Sequence, residues 1–189
     1  MSDKYTKVEP KIHPITIIAI VSFFVVVLAI IFIFKPSDQT VIYKAYEPYA
    51  TSDFTEDHPF VTVAYDSKLF NKGLDKILSE DEIVILYIGY PTCPSCQAHI
   101  GAFEKYFYSE GFDAYANQIY YMDPNDDLDS VNLVIENYPD VEATTPQLLV
   151  FQNGELISIF TPLSSEDATA INRSVRDFYL DAIDLINAE

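Results

Sequence analysis

Two cysteines, Cys93 and Cys96, are the only thiols in a chain of 189 residues, and they stand three apart in YPTCPSCQAH, residues 90–99. A thiol can serve as a nucleophile, a metal ligand or half of a disulfide, and in the first two roles the reacting species is the thiolate. Cys-x-x-Cys beside alternating strand and helix patterns reads as a redox dithiol. Pro94 suits the first turn of a helix, where its missing N–H would have no intrahelical partner. Cys93 then sits at the helix tip, where free N–H groups and the positive end of the helix dipole favour a thiolate. Cys96 falls one turn further in and shares a stripe with Ile100, Phe103 and Phe107. The expectation is a division of labour. An exposed Cys93 attacks a disulfide, and a core-facing Cys96 resolves the mixed disulfide that results.

Other chemistries need residues that must be looked for. A zinc site takes about four ligands, usually nitrogen and sulfur, and the chain has no second cysteine pair. His99 would lie about 9 Å along a helix axis from Cys93, too far for easy shared ligation. A covalent haem motif needs histidine directly after Cys96, where Gln97 stands. A structural disulfide without turnover stays open, since an extracytoplasmic domain could use one, although so small a loop would add little stability. His99 is expected on a helix surface. Asp126 and Asp127 read as caps and solvated positions, and the many tyrosines and phenylalanines as core and tether packing.

The elements that must hold the cysteines follow from hydrophobic pattern. FVTVAY (60–65) is β-branched and aromatic, a short strand. Asp66 can cap a helix through SKLFNKGLDKILSE, where Leu69, Lys72/Gly73 and Ile77 fall near helical spacing. EIVILYIGY (82–90) is apolar almost throughout, as in a strand buried on both faces. A helix is predicted from about Pro94 to Tyr108, a strand over 117–123, and a helix over 125–138 that opens on acids. PQLLVFQ and ELISIF read as strands joined by Asn153-Gly154, a strong hairpin signal. The end, from about Ser165 to Ala188, is amphipathic, with Ile171, Val175, Phe178, Ala182 and Ile186 on one stripe. Strands alternating with helices and closing on a hairpin predict a three-layer α/β sandwich with a mixed sheet.

With these residues in place, the stretch 82–110 resembles the active-site strand and helix of the thioredoxin superfamily, and TTPQLLVFQNGELISIF (144–160) resembles its cis-proline loop and hairpin. The resemblance spans about residues 60–187. It implies a thioredoxin-like domain over 60–189 and thiol–disulfide oxidoreductase activity through Cys93 and Cys96. It also implies that Pro146 is cis and faces the cysteines, and that the backbone of Thr145 pairs with bound peptide like an added strand. YIGYPTCPSC is similar to thioredoxin-like accessory proteins of Gram-positive bacteria that assist disulfide-containing bacteriocins. Three positions depart from the family pattern. The tryptophan before the first cysteine is Thr92, the buried acid six positions before it aligns with Tyr87, and a glycine bordering the substrate groove aligns with Pro162. These bear on reduction speed and substrate range.

The N-terminal part sets the compartment. Residues 15–34 carry no charge, and twenty helical residues rise about 30 Å, the thickness of a bilayer core. Lys4, Lys7 and Lys11 precede the run, which places the N-terminus (1–14) in the cytoplasm and the rest outside. Residues 35–59 are rich in turn formers and acids and read as an extracytoplasmic tether. Residues 36–189 hold seven basic residues against 27 acidic ones, a formal charge of −20, which disfavours nucleic acid and anionic lipid headgroups as partners. The expected partners are thiols and disulfides of secreted or surface proteins, with a membrane or extracytoplasmic redox partner to recharge the pair and no cofactor beyond the cysteines. A peptide-binding, chaperone-like module using the same groove without turnover is the alternative.

Overall fold

A computed structural model describes residues 13–49, 54–67, 71–164 and 167–188. The chain divides into two compact units, Met1–Pro36 and Ser37–Glu189. The first holds helix α1, Pro14–Phe34. Pro14 takes its first position and the His13 side chain accepts the Ile15 N–H. Among the described residues this is the one helix long and apolar enough to cross a membrane, and no residue of its Pro14–Ile31 stretch is buried.

The second unit runs through α2 (Asp38–Tyr46), β1 (Phe60–Thr62), α3 (Leu74–Glu80), β2 (Ile83–Ile88), α4 (Pro94–Ser109), a short 3₁₀ turn (Phe112–Ala114), β3 (Ile119–Met122), α5 (Leu128–Asn137), β4 (Gln147–Gln152), β5 (Glu155–Ile159) and α6 (Ala168–Ile186). The strand order is β1-β3-β2-β4-β5. β1, β3 and β2 are parallel, and β4 and β5 run antiparallel to their neighbours. Because side chains alternate along a strand, the two apolar strands at the centre feed two cores. Ile85 and Tyr87 of β2, with Leu148 and Val150 of β4, join α2, α4 and α6 on one face. Val84, Leu86 and Ile88, with Leu149 and Phe151, join α3 and α5 on the other. This is the expected three-layer α/β sandwich with a mixed sheet, and it is thioredoxin-like. The hairpin turns on Asn153 and Gly154, with φ of 51° and 82°, the left-handed pair that a tight two-residue turn requires.

Two segments differ from expectation. The described residues within 36–59 do not all run as an irregular stretch. Ser37 caps α2 through a bond from the Thr40 N–H, and Ile42 and Tyr46, one turn apart, are buried in the core. Further along, Phe54 stacks on His58 with ring centroids 4.8 Å apart. The Thr55 N–H and hydroxyl both bond to the buried carboxylate of Glu104 on α4. His58 accepts the Phe60 N–H at Nδ1 (3.2 Å) and therefore donates from Nε2 to the Gln39 carbonyl (2.9 Å). The second difference is α3, which starts at Leu74 with Gly73 as its N-cap rather than at Asp66. The reason is a close approach. A Cβ on Gly73 would stand 2.3 Å from the backbone carbon of Asp66, so the chain folds back on itself there. Leu69 lies outside the described residues.

Candidate redox site

β2 delivers the chain to the site. Past its end, the Gly89 N–H donates to the Met122 carbonyl (3.1 Å) and the Cys93 N–H to the Tyr90 carbonyl (3.2 Å). The Gln97 amide donates to the Pro91 carbonyl (2.8 Å) and ties the turn to the helix it precedes. Cys93 is the N-cap of α4, with Pro94 at its first position. The Cys93 Sγ accepts the Cys96 N–H at 3.2 Å, the bond an N-cap side chain makes to one of the unpaired N–H groups of the first turn. From across the domain, Thr145 closes over the same sulfur. Its hydroxyl donates to Cys93 Sγ at 3.5 Å, and its carbonyl lies 3.8 Å from that sulfur, within reach of the thiol proton. The Thr145–Pro146 bond is cis. The structure thus brings Cys93, Cys96 and Thr145 together, with Pro146 joined directly to the contacting residue.

Both thiols are free. Cys93 is 5% exposed rather than open, because the Thr145 loop covers it, and Cys96 is fully buried. Burial pushes the Cys96 thiol up to about 12, helped by its hydrogen bond with Cys93 and opposed by the Tyr90 backbone and the Tyr87 hydroxyl. The difference between the two sulfurs is therefore one of surroundings, with only a small difference in exposure.

Below Cys96 lies Tyr87, completely buried, its hydroxyl 3.1 Å from that of Tyr46. The Tyr87 ring stacks on Tyr121 at 5.6 Å and meets Phe60 and Phe103 edge-on. Gly89 makes room for it, since a Cβ there would stand 2.4 Å from the Tyr87 hydroxyl oxygen. Neither Tyr46 nor Gly89 was expected at the site. The Ser37 cap and the i, i+4 pair Ile42/Tyr46 were the only local signals for the helix that carries Tyr46.

His99 is not on the surface of α4. It is 1% exposed, its Nδ1–H donates to the Ser95 carbonyl at 2.7 Å, and its ring lies against Phe103 and Phe160. The cover comes from Phe160, beyond the end of β5, which no periodicity within α4 could reveal. Nε2 has no hydrogen-bond partner. Asp127 caps α5 as expected, accepting the Ser130 N–H. Among the described residues, no three His, Cys, Asp or Glu side chains lie together in a set that could hold a metal ion.

Burial holds both His58 and His99 below the ordinary histidine value of 6.5. The unfolded chain therefore binds these protons more readily, and stability rises with pH through this window. Folding free energy should be fully present above pH 6.5 and fall as the pH drops below it, by at most about 1.4 kcal/mol per pH unit for each histidine. Denaturant midpoints at pH 7.5, 6.5 and 5.5 measure this. A flat profile would mean that neither histidine resists protonation.

No protein-family model matches the chain, and no curated protein sequence matches it. Among solved structures it is similar to a protein with a thioredoxin fold, at 16% identity, covering 61% of this chain and 93% of that one with a TM-score of 0.46. It is similar to thioredoxin from Trypanosoma brucei brucei at 16% identity, covering 68% and 98% with a TM-score of 0.43. A mutant thioredoxin from Halobacterium salinarum NRC-1 is 18% identical, covering 64% and 93% with a TM-score of 0.38.

Proposed function

We propose that this chain is a membrane-anchored thiol–disulfide oxidoreductase that acts outside the cytoplasm on disulfides of secreted or surface proteins through Cys93 and Cys96. The observation that carries the reading is the asymmetry of the pair. Cys93 caps a helix, with one N–H and one hydroxyl directed at its sulfur, while burial holds the Cys96 thiol protonated. Cys93 attacks a client sulfur and breaks the client disulfide. Cys96 then attacks Cys93, the mixed disulfide breaks, the client leaves reduced, and the pair remains oxidised. The same steps run backwards when the pair donates its disulfide. A membrane or extracytoplasmic redox partner resets the pair. Thr145, with Pro146 behind it, is the backbone against which an extended client segment aligns, as the family resemblance implies. The likeness of YIGYPTCPSC to accessory proteins of disulfide-containing bacteriocins adds small secreted peptides to the clients worth testing. Helix α1 is the anchor, and the lysines before it set the N-terminus inside.

One experiment tests chemistry and location together. Intact cells expressing the full chain are treated with dithiothreitol or with a mild oxidant, then with a membrane-impermeant thiosulfonate. The pair should be labelled after reduction and protected after oxidation, with a midpoint inside the range of about −270 to −120 mV that such dithiols span. Labelling only after lysis would place the domain inside the cell. Labelling that ignores both redox treatments would favour the peptide-binding module.

A further inference from the structure

We propose that Gln147 is a positioning residue for the redox step, its buried amide stapling the loop that precedes it so that Thr145 is held against Cys93. The inference rests on the oxidoreductase reading above. Residues 138–146 join α5 to β4. Among the described residues, no backbone–backbone hydrogen bond holds this stretch beyond Val141, whose N–H donates to the Tyr138 carbonyl. Glu142, Ala143 and Thr144 are exposed. A side chain holds the loop instead. Gln147 Nε2 donates to the Thr144 hydroxyl oxygen at 2.7 Å and to the Glu142 carbonyl at 3.4 Å. Thr145 follows directly, with its hydroxyl 3.5 Å and its carbonyl 3.8 Å from the Cys93 sulfur.

The base of the staple is rigid. Gln147 opens β4 and pairs with Ile88, the last residue of β2. Both halves of the site meet the sheet at that rung, since the chain leaves Ile88 for Cys93 and arrives at Gln147 from Thr145. The amide therefore fixes the Thr145 loop to the point from which the Cys93 turn departs. Its orientation follows from Glu142. A carbonyl only accepts, so the nitrogen faces it and the oxygen points away. The Gln147 side chain is 3% exposed, and its Oε1 has no hydrogen-bond partner. A buried acceptor without a donor is costly, and an apolar side chain of the same length would avoid that cost. The two groups that the nitrogen serves belong to exposed residues, which water can satisfy in its place. What the amide supplies is thus the position of the loop rather than stability of the fold.

In the attack, Cys93 gives its proton to water, its sulfur bonds to one client sulfur, the client disulfide breaks, and the other client sulfur leaves as a thiolate. A client peptide that aligns on the Thr145 backbone meets a loop already ordered. Without the staple the loop must be ordered as the client binds, which weakens binding about tenfold for each backbone residue fixed. The cover that Thr145 places over Cys93 loosens at the same time.

The full-length chain in detergent, in the Cys96→Ser background, measures attack alone, because the mixed disulfide is then the end product. The probes are a disulfide-linked dimer of a short cysteine peptide, long enough to lie along the loop, and hydroxyethyl disulfide, which is too small to do so. Gln147→Met should raise the peptide concentration at half-maximal rate by about tenfold and keep the maximal rate within about twofold, the pattern of lost binding rather than lost chemistry. Hydroxyethyl disulfide should react no more slowly than with the parent, iodoacetamide should modify Cys93 faster, and the melting temperature should hold or rise. Thr144→Val removes one of the two bonds from an exposed position. It should shift the peptide half-saturation the same way by a smaller factor and add nothing to Gln147→Met. A folding defect in Gln147→Met leaves Thr144→Val to decide. Parental half-saturation in both variants would overturn the staple, as would equal slowing toward both disulfides or a fall in melting temperature that tracks the loss of rate. A parent background that forms no mixed disulfide with either probe would instead overturn the oxidoreductase reading on which the staple rests.

Discussion

Cys96→Ser should cause the protein to accumulate as mixed disulfides with its clients, whereas Cys93→Ser should yield few or none. The serine variant at 96 keeps the nucleophile, its helix-tip position and the Thr145 contacts, but it removes the sulfur that releases the client. The variant at 93 keeps only a sulfur that is fully buried. Burial is the largest cause holding that thiol protonated, and the thiolate is the species that attacks. Non-reducing electrophoresis after trapping with iodoacetamide reads the outcome directly. Cys93 should also be the sulfur that iodoacetamide modifies first. Equal trapping by both variants, or trapping by Cys93→Ser alone, would reverse or erase the assigned roles.

Gly89→Ala should be the most damaging small substitution near the site. Its added carbon would stand 2.4 Å from the Tyr87 hydroxyl oxygen and 2.6 Å from the ring carbon that bears it. That ring cannot swing aside, because Phe60, Phe103 and Tyr121 enclose it. Overpacking of this kind costs about 1–3 kcal/mol, and here it also displaces the hydroxyl paired with Tyr46. Removing the Tyr87 oxygen should relieve the closest of these contacts but not the ring contact. Gly89→Ala combined with Tyr87→Phe should therefore be more stable than the sum of the two single changes allows, a coupling that urea denaturation of the four proteins measures. Simple additivity would mean that the backbone at Gly89 moves away from the ring without penalty.

What could be read from the sequence was what a short window contains. β2 shows as a continuous apolar run because both its faces are covered. α4 shows through Pro94, and the β4–β5 turn through Asn153-Gly154. The sequence also marked the Cys93–Cys96 pair and, through the family resemblance, the Thr145–Pro146 loop, which the structure brings into contact with Cys93. What stayed hidden depends on contacts made far along the chain. α2 places only Ile42 and Tyr46 in the core, amid acids and turn formers, so its period is too sparse to stand out. His99 lies on the side of α4 that Phe160 covers, and Cys93 lies under Thr145. Gly73 was read as a helix-interior residue because its near-contact with the Asp66 backbone is a property of the folded chain.

Helix α2 also limits how this chain can be recombined. A thioredoxin-like domain is easily pictured as a cassette that opens on its first strand and can be moved whole between anchors. Here a graft joined at Phe60 would leave behind the Tyr46 ring, buried against Phe54 and Tyr121. It would strip the Tyr87 hydroxyl of its 3.1 Å partner and take from the Phe60 N–H its acceptor at His58 Nδ1. The transferable module begins at Ser37, and Ile42, Tyr46, Phe54 and His58, which precede the first strand, belong to the domain's own interior.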